Sequence, residues 1–442
     1  MSLIGLKEHL RFKRVVVSLA SGNPLVDSSG TSKVILRDRD AFLAARKSYL
    51  LLFPVCTALG GDIESSRYID FRSYGIVIDE SFVGIFTESK IRDEVGSLLS
   101  DGYCFDALHI HHLIRNELRR TSRLLSVFDA ARVAIYLHDY YLICPEALNL
   151  IDDDGKPCPL VLTGCCEGCP KRACTERRLR EIKEFLSELH ARVVAIAPSE
   201  VPARLWRKYG TLPIDEVAVL PHQEMRGEFH GNSSPVDAAC RMSVGFVGAQ
   251  RAAKGWPLWK RLIEDTPRDL YDFMQFGSGA ETSGLFTQIP VFTHEQGKDA
   301  MIVALRNKGL AVALLLSNCP ETYSYTAFEC FASGAYIITL DGSGNIADMV
   351  KNNRCGFVCK NEDELMGLLA DKTRLVGLVN AYRASGVVRP SKLVDSEKIL
   401  AYAGGEYALE RAKMTARDNS SLLDLVFAAA ASALYKRKYA SL

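Results

Sequence analysis

Two carboxylates, Glu321 and Glu329, lie eight positions apart in SNCPETYSYTAFECFASG (317–334). As helix, that separation spans about 12 Å. The carboxylates of a double-displacement glycosidase sit only about 5 Å apart, so these two do not form such a dyad. A second cluster is rich in thiols. Cys144, Cys158, Cys166 and Cys169 are spaced C-x13-C-x7-C-x2-C, and four thiolates so spaced can close on a tetrahedral structural zinc, with Cys165 or Cys174 as alternates. Four sulfurs leave no open coordination position, so this reads as a staple for a long loop. Unbound thiols or a disulfide are the alternatives. His109, His111 and His112 in FDALHIHHL (105–113) read as strand packing, since no adjacent carboxylate or Cys completes a metal set. His138 in AIYLHDYYLICP (134–145) ends an apolar run, and a His at the C-terminal end of a parallel strand is placed to meet a ligand. A structural His bonded under a loop is its alternative. Lys254 follows another such run in GFVGAQRAAKG (245–255).

The elements around these residues repeat. VVVSLA (15–20), YLLLFPV (49–55), DALHI (106–110), RVAIYL (132–137) and RVVAIA (192–197) are continuous apolar runs. Continuous runs, unlike alternating ones, mark parallel strands covered on both faces. Between the last two, TERRLREIKEFLSELH (175–190) sets Leu179, Ile182, Phe185, Leu186 and Leu189 at helical spacing. The strand–helix–strand rhythm predicts an open α/β sheet. SVGFVG (243–248), LYDFMQFG (270–277), LAVALLL (310–316) and AYIITL (335–340) predict a second sheet. The expected organisation is a first Rossmann-like domain over 1–222 with a Cys-rich insertion at 144–174, and a second over 238–390. The Gly-, Asn-, Ser- and Pro-rich stretch 222–237 connects them, and a helical tail, 391–442, packs back on the first domain. Ligands of such sheets bind beyond the strands' C-terminal ends, here in the cleft between domains.

Composition narrows the class. The 442 residues suit two large domains or roughly three of about 150 residues. Hydrophobic residues make up 48% and charged residues 24%, as in ordinary globular chains. With 54 Lys and Arg against 53 Asp and Glu, the chain lacks the basic footprint of a nucleic-acid-binding protein. The longest apolar stretch, Leu422 to Tyr435, contains Asp424 and falls short of a membrane span. MSLIGLKEHLRFKR lacks the apolar core of a secretory signal, which points to the cytoplasm and to reduced cysteines.

The segment 317–350, with Glu321 and Glu329, the turn Ala332-Ser333-Gly334, the strand Tyr336–Leu340 and the Gly-rich loop Gly342–Ile346, resembles the retaining family-4 glycosyltransferases of the GT-B fold. The variant PETYSYT resembles a subgroup that builds bacterial surface polysaccharides. The resemblance implies two doubly wound domains facing across a cleft, and a nucleotide-diphosphate sugar as donor. The backbone amides of Ser324, Tyr325 and Thr326 at a helix N-terminus would face the pyrophosphate. Glu329 would accept from ribose hydroxyls, and Glu321 would contact the sugar or stabilise charge at its anomeric carbon. GFVGAQRAAKG resembles the diphosphate-binding loop, with Gly248 and Lys254 in place. Ala249 departs from the pattern where an Arg is usual, and Arg251 is the candidate replacement. His138 matches the residue proposed to contact the reacting sugar, and Gly30 in VDSSGTSKV (26–34) matches the first glycine-containing loop.

The implied activity is sugar transfer with retention to a growing glycan or lipid-linked acceptor, without a catalytic metal, by a cytoplasmic protein or one in peripheral contact with the inner membrane. The same subgroup often carries a similar run of cysteines, consistent with structural zinc. Lys171, Arg172, Arg177, Arg178 and Arg180 solvate a helix face or guide an anionic lipid-linked acceptor. Two other readings stand beside this one. The loss of Arg at 249 suits a catalytically impaired GT-B protein that acts as binding or scaffold partner of an active transferase. A zinc-ribbon protein would bind nucleic acid through 158–183.

Overall fold

The computed structural model describes residues 5–27, 29–58, 68–130, 132–152, 155–160, 164, 166–229, 234–267 and 269–404. The first domain is built on strands β1 (Arg14–Leu19), β2 (Ser48–Ala58), β3 (Tyr68–Ile78), β4 (Ser81–Thr87), β5 (Cys104–Ile110), β6 (Arg132–Tyr136), β7 (Arg192–Ala197) and β8 (Glu216–Val219). Their order is β4-β3-β2-β1-β5-β6-β7-β8. β1 pairs in parallel with β2 and β5, Val17 standing beside Leu50 and Leu108. Val15, Val17 and Leu19 enter the core on one face of the sheet, while Val16 and Ala20 join a separate cluster on the other. That two-sided burial is why the strand reads as an unbroken apolar run. The helix Arg172–Glu188 buries Ile182, Phe185 and Leu186 against the first face.

β3 and β4 form an antiparallel hairpin at the edge of this sheet, an element outside the strand–helix–strand rhythm. Asp79 turns it at φ 53°, a conformation Asp tolerates, and the Asp79 Oδ1 accepts from the Tyr49 amide at 2.8 Å.

The second domain carries strands β9 (Gln223–Arg226), β10 (Met242–Val247), β11 (Tyr271–Phe276), β12 (Thr287–Ile289), β13 (Val312–Leu315), β14 (Tyr336–Leu340), β15 (Gly356–Cys359) and β16 (Lys392–Asp395). Six of them form a parallel sheet, β12-β11-β10-β13-β14-β15. Its core centres on Phe246, Trp259 and Phe276. Two doubly wound sheets whose C-terminal strand ends turn toward one cleft are the expected GT-B architecture.

The connector and the tail differ from expectation. β9 lies within the connector, and β16 occupies residues expected to be helical; the two pair antiparallel, Leu393 opposite Met225. The two segments satisfy backbone groups on each other in a two-stranded ribbon separate from both sheets. After β16 the chain returns to the first domain, where Ile399 and Ala403 enter its core and the Lys47 ammonium donates to the Ala403 carbonyl at 2.9 Å. The stretch Leu422–Tyr435 lies outside the described residues. Among those described, no helix is long and apolar enough to cross a membrane.

If the returning segment is part of the first domain, Ile399→Ala should destabilise that domain by about 2–5 kcal/mol, the usual cost of truncating a buried Ile. Denaturant unfolding followed by domain-specific proteolysis checks this, with the second domain's transition expected to stay in place.

Candidate functional site

In each sheet the chain leaves one strand in one direction and later returns on its other side. β1 lies between β2 and β5, and β10 between β11 and β13. The strands splay at such switch points and leave a crevice beyond their C-terminal ends. Loops from both crevices meet in a cleft of about 360 Å³. His138 and the Gly30 turn line it from the first domain; Arg251, Lys254, Glu321 and Tyr325 line it from the second.

Lys254 reaches the cleft because its loop turns sharply at Gly255. There φ is 83°, and a Cβ would overlap the Leu316 carbonyl. The Lys254 Nζ stands 2.6 Å from Glu321 Oε1. The same carboxylate oxygen accepts from Ser317 Oγ at 2.5 Å, and Ser317 lies at the end of the neighbouring β13. Glu321 is held from behind by a parallel bridge to Gly344 and by its carbonyl, which accepts from the Asn345 amide at 2.9 Å. Gly344 has φ 63°, and a Cβ there would lie 2.6 Å from the Glu321 nitrogen. The Gly-rich loop therefore needs glycine at 344 so that its backbone can lie against the carboxylate-bearing strand end.

Next in the chain, Ser324 caps the helix Tyr325–Ser333, its side chain accepting from the Ala327 amide. The first-turn amides of Tyr325 and Thr326 have no intrahelical acceptor, and the positive end of the helix points outward with them. Glu329 lies one turn on from Tyr325, on the same face. It is 7% exposed, and no described residue donates to it. Burial raises its pKa to about 7, opposed by the charge of Lys33. Lys33 comes from the first domain and lies 5.4 Å from the centre of the Tyr325 ring. Glu329 is not on the cleft wall itself, nor are Ser324, Thr326 and Gly248. Gly248 instead anchors its loop, its carbonyl accepting from the Gln275 amide group at 2.9 Å. Arg251 lines the cleft, two residues beyond Ala249.

The loop 317–324 is also fastened to the first domain. Tyr140 OH donates to the Pro320 carbonyl at 2.6 Å, Thr322 Oγ1 to the His138 carbonyl at 2.6 Å, and Ser199 Oγ to the Thr322 carbonyl at 2.7 Å.

His138 belongs to a buried polar ladder that the sequence reading missed. Its Nε2 lies 3.1 Å from His111 Nδ1, and the Tyr136 ring stacks on both imidazoles. Tyr136 OH donates to Asp38 at 2.5 Å; Asp38 also pairs with Arg37, whose Nη1 lies 3.0 Å from His222 Nδ1. Burial drives His138 down to about 3 and His222 well below the usual histidine range, so both imidazoles are neutral. His109 is bonded to Tyr136 OH at 2.8 Å, and His112 to Asp139 at 2.9 Å. His112 thus has the carboxylate that its sequence neighbours lack, supplied from beyond the next strand. Tyr49, Asp38, Tyr136 and His222 come from separate elements, so no local motif could have assembled them.

The structure gives the zinc reading no support. Among the described residues no three His, Cys, Asp or Glu stand where they could hold a metal ion. Cys144 and Cys158 turn into the apolar core of the first domain, while Cys166 and Cys169 are half-buried in the turn beyond. Cys165 lies outside the described residues. Of the basic run, Arg178 is not a solvated surface charge: its Nε donates to Tyr141 OH at 2.9 Å and it pairs with Glu181 at 2.7 Å.

The sequence matches no protein-family profile and no curated protein. Several solved structures align with it over most of their length. Anabaena HepE in complex with UDP and glucose has a TM-score of 0.47 at 11% identity, over 84% of this chain and 94% of that one. TarM has a TM-score of 0.49 at 9% identity, over 84% and 94%. A glycosyltransferase from Rickettsia africae has a TM-score of 0.48 at 10% identity, over 84% and 92%.

Because Glu329 titrates near 7 when folded and near 4.5 in its ordinary state, the folded chain binds the extra proton between those values. Stability contributed at this site therefore falls as pH rises through that window, and the loss is complete above it. Glu329→Gln should match wild type near about pH 4 and exceed it near about pH 8 in denaturant midpoint. Equal midpoint differences at both pH values would show that Glu329 does not titrate in this window.

Proposed function

We propose that this chain transfers a sugar from a nucleoside-diphosphate donor to a growing glycan or lipid-linked saccharide, with retention of configuration, in the assembly of a surface polysaccharide. The observation that carries the reading is the Lys254–Glu321 pair, 2.6 Å apart, set beside a helix N-terminus in a cleft between two parallel sheets. A diphosphate needs cations and backbone amides, which Lys254, Arg251 and the first turn at Tyr325–Thr326 supply. A sugar losing its leaving group needs a carboxylate near the developing positive charge, and Glu321 is that group. Glu329, buried and without a donor, suits a pair of ribose hydroxyls.

In this mechanism the acceptor hydroxyl oxygen forms its bond to the anomeric carbon on the face from which the diphosphate departs. The carbon–oxygen bond to phosphate breaks with its electron pair going to the diphosphate, and the acceptor's proton passes to a phosphate oxygen. Lys254, Arg251 and the helix amides neutralise the charge that builds up there, a preorganised electrostatic contribution that needs no side chain to move. Neutral His138 hydrogen-bonds to the sugar without adding charge. Lys254 is held by Glu321 until a diphosphate competes for it, so the ammonium enters the reaction already placed. The acceptor approaches from the first domain; membrane contact, if the acceptor is lipid-linked, is peripheral.

Calorimetry with UDP, GDP, dTDP, ADP and CMP should give selective binding to one diphosphate, lost in Glu329→Ala. Lys254→Ala should lower sugar transfer by about 100-fold or more, the scale for removing one preorganised donor. Absence of binding to every nucleotide would move the reading to a scaffold partner of another transferase, and turnover unaffected by Lys254→Ala would remove Lys254 from the mechanism.

A further inference from the structure

His138 has two ring nitrogens, and among the described residues only one of them, Nε2, has a hydrogen-bond partner. Its Nε2 meets His111 Nδ1 at 3.1 Å, and the opposite nitrogen of His111, Nε2, meets Tyr49 OH at 3.2 Å. Tyr49 and His111 are each 1% exposed, so water cannot mend a mismatch in this chain of bonds. Each neutral imidazole carries one N–H and one lone pair, and the direction of the first bond therefore sets all the others.

The phenol decides that direction. Its oxygen is a weak acceptor whose proton must find a partner in the core, where an orphaned donor costs more than the bond is worth. Among the described residues the Tyr49 hydroxyl has no hydrogen-bond partner other than His111 Nε2. The phenol proton thus goes to His111 Nε2. His111 then carries its hydrogen on Nδ1 and donates to His138 Nε2, and His138 carries its own on Nδ1. The stacked Tyr136 ring, 4.1 Å from that of His111 and 5.2 Å from that of His138, holds both imidazoles in plane.

We infer that Tyr49 and His111 are positioning residues that lock His138 as the Nδ1–H tautomer, so that it meets the cleft as a hydrogen-bond donor and cannot act there as a base. The consequence for the reaction rests on the glycosyl-transfer reading above: the donor-sugar oxygen facing His138 is an acceptor, and the attacking hydroxyl's proton must leave by another route, to the departing phosphate. Tyr49 itself never touches substrate; it acts two rings away.

The test is nitrogen-15 NMR of the full chain labelled at histidine, which distinguishes the two neutral tautomers from their ring shifts. Wild-type His138 should show the Nδ1–H pattern. Tyr49→Phe removes one hydroxyl and no packing volume; it should leave His138 as a mixture of tautomers and lower kcat about threefold to tenfold, the worth of one hydrogen bond, with KM for the donor nearly unchanged. His111→Asn keeps an N–H near the Nδ1 position and should restore the pattern, whereas His111→Leu should not. An Nε2–H pattern in the wild type, or a tautomer indifferent to Tyr49→Phe, would overturn the inference. The NMR readout needs no substrate, so a failed assay for sugar transfer would count against the proposed function and leave the tautomer assignment to stand or fall by itself.

Discussion

The cleft depends on one constraint: the backbone of the Gly344 loop must lie directly against Glu321. The contact leaves no room for a Cβ at 344, and it aligns the Glu321 carbonyl with the Asn345 amide. Asn345 in turn accepts from the Ser324 amide through its side chain, at 3.2 Å. A single close approach thereby sets the carboxylate on one side and the start of the helix Tyr325–Ser333 on the other. Lys254 is added to the same arrangement by Gly255, which lets its loop pass over the end of β13. Ion pair, helix end and Gly-rich loop form one unit that moves together if it moves.

That unit is braced from the first domain as well as its own. The hydroxyls of Tyr140, Ser199 and Thr322 join the 317–324 loop to the loops after β6 and β7. These are neutral hydrogen bonds, each of modest net worth, and they coexist with the Arg204–Asp348 pair at 2.9 Å, whose arginine is largely exposed and contributes little. Domain apposition on this side of the cleft therefore includes neutral hydrogen bonds and one largely exposed ion pair. The second crossing, through the β9–β16 ribbon and the Ile399 segment, ties the domains by backbone pairing and apolar burial instead.

The electrostatic character of the two walls differs for a physical reason. Histidines on the first-domain wall are buried and therefore neutral, with Arg37 nearby further disfavouring their protonation. On the second-domain wall the ionised groups remain in contact with solvent: Lys254 is 42% exposed as a side chain and Arg251 is exposed. On the first wall the lining carboxylate Asp139 is bonded to His112, while the cations of the cleft, Lys254 and Arg251, stand on the second. This division suits a ligand with a neutral sugar at one end and a diphosphate at the other.

The strands of both sheets were legible because burial on two faces forces continuous apolar runs, and Lys254, Glu321 and His138, which the structure brings to one cleft, each sit in a short segment whose pattern is local. The β3–β4 hairpin was not, although β3 buries Tyr74, Ile76 and Ile78 on one face and Val77 on the other: it is antiparallel and, among the described residues, no helix separates it from β2, so it falls outside the strand–helix–strand rhythm that marks the other strands. The β9–β16 ribbon was not either: Gln223–Arg226 and Lys392–Asp395 are short and polar, and they become strands only by finding each other. Cysteine spacing suggested a metal site, but spacing along a chain does not say which way a thiol points, and burial turned Cys144 and Cys158 into the core. The sequence by itself determined two doubly wound sheets and the candidate residues at their strand ends, because apolar periodicity and local motifs are properties of contiguous chain. Only the tertiary structure decided that Tyr49, His111 and His138 share one run of hydrogen bonds, and that Arg37, Asp38 and His222 stand behind it. Those contacts join residues from separate elements, and no force acting within any one segment specifies them.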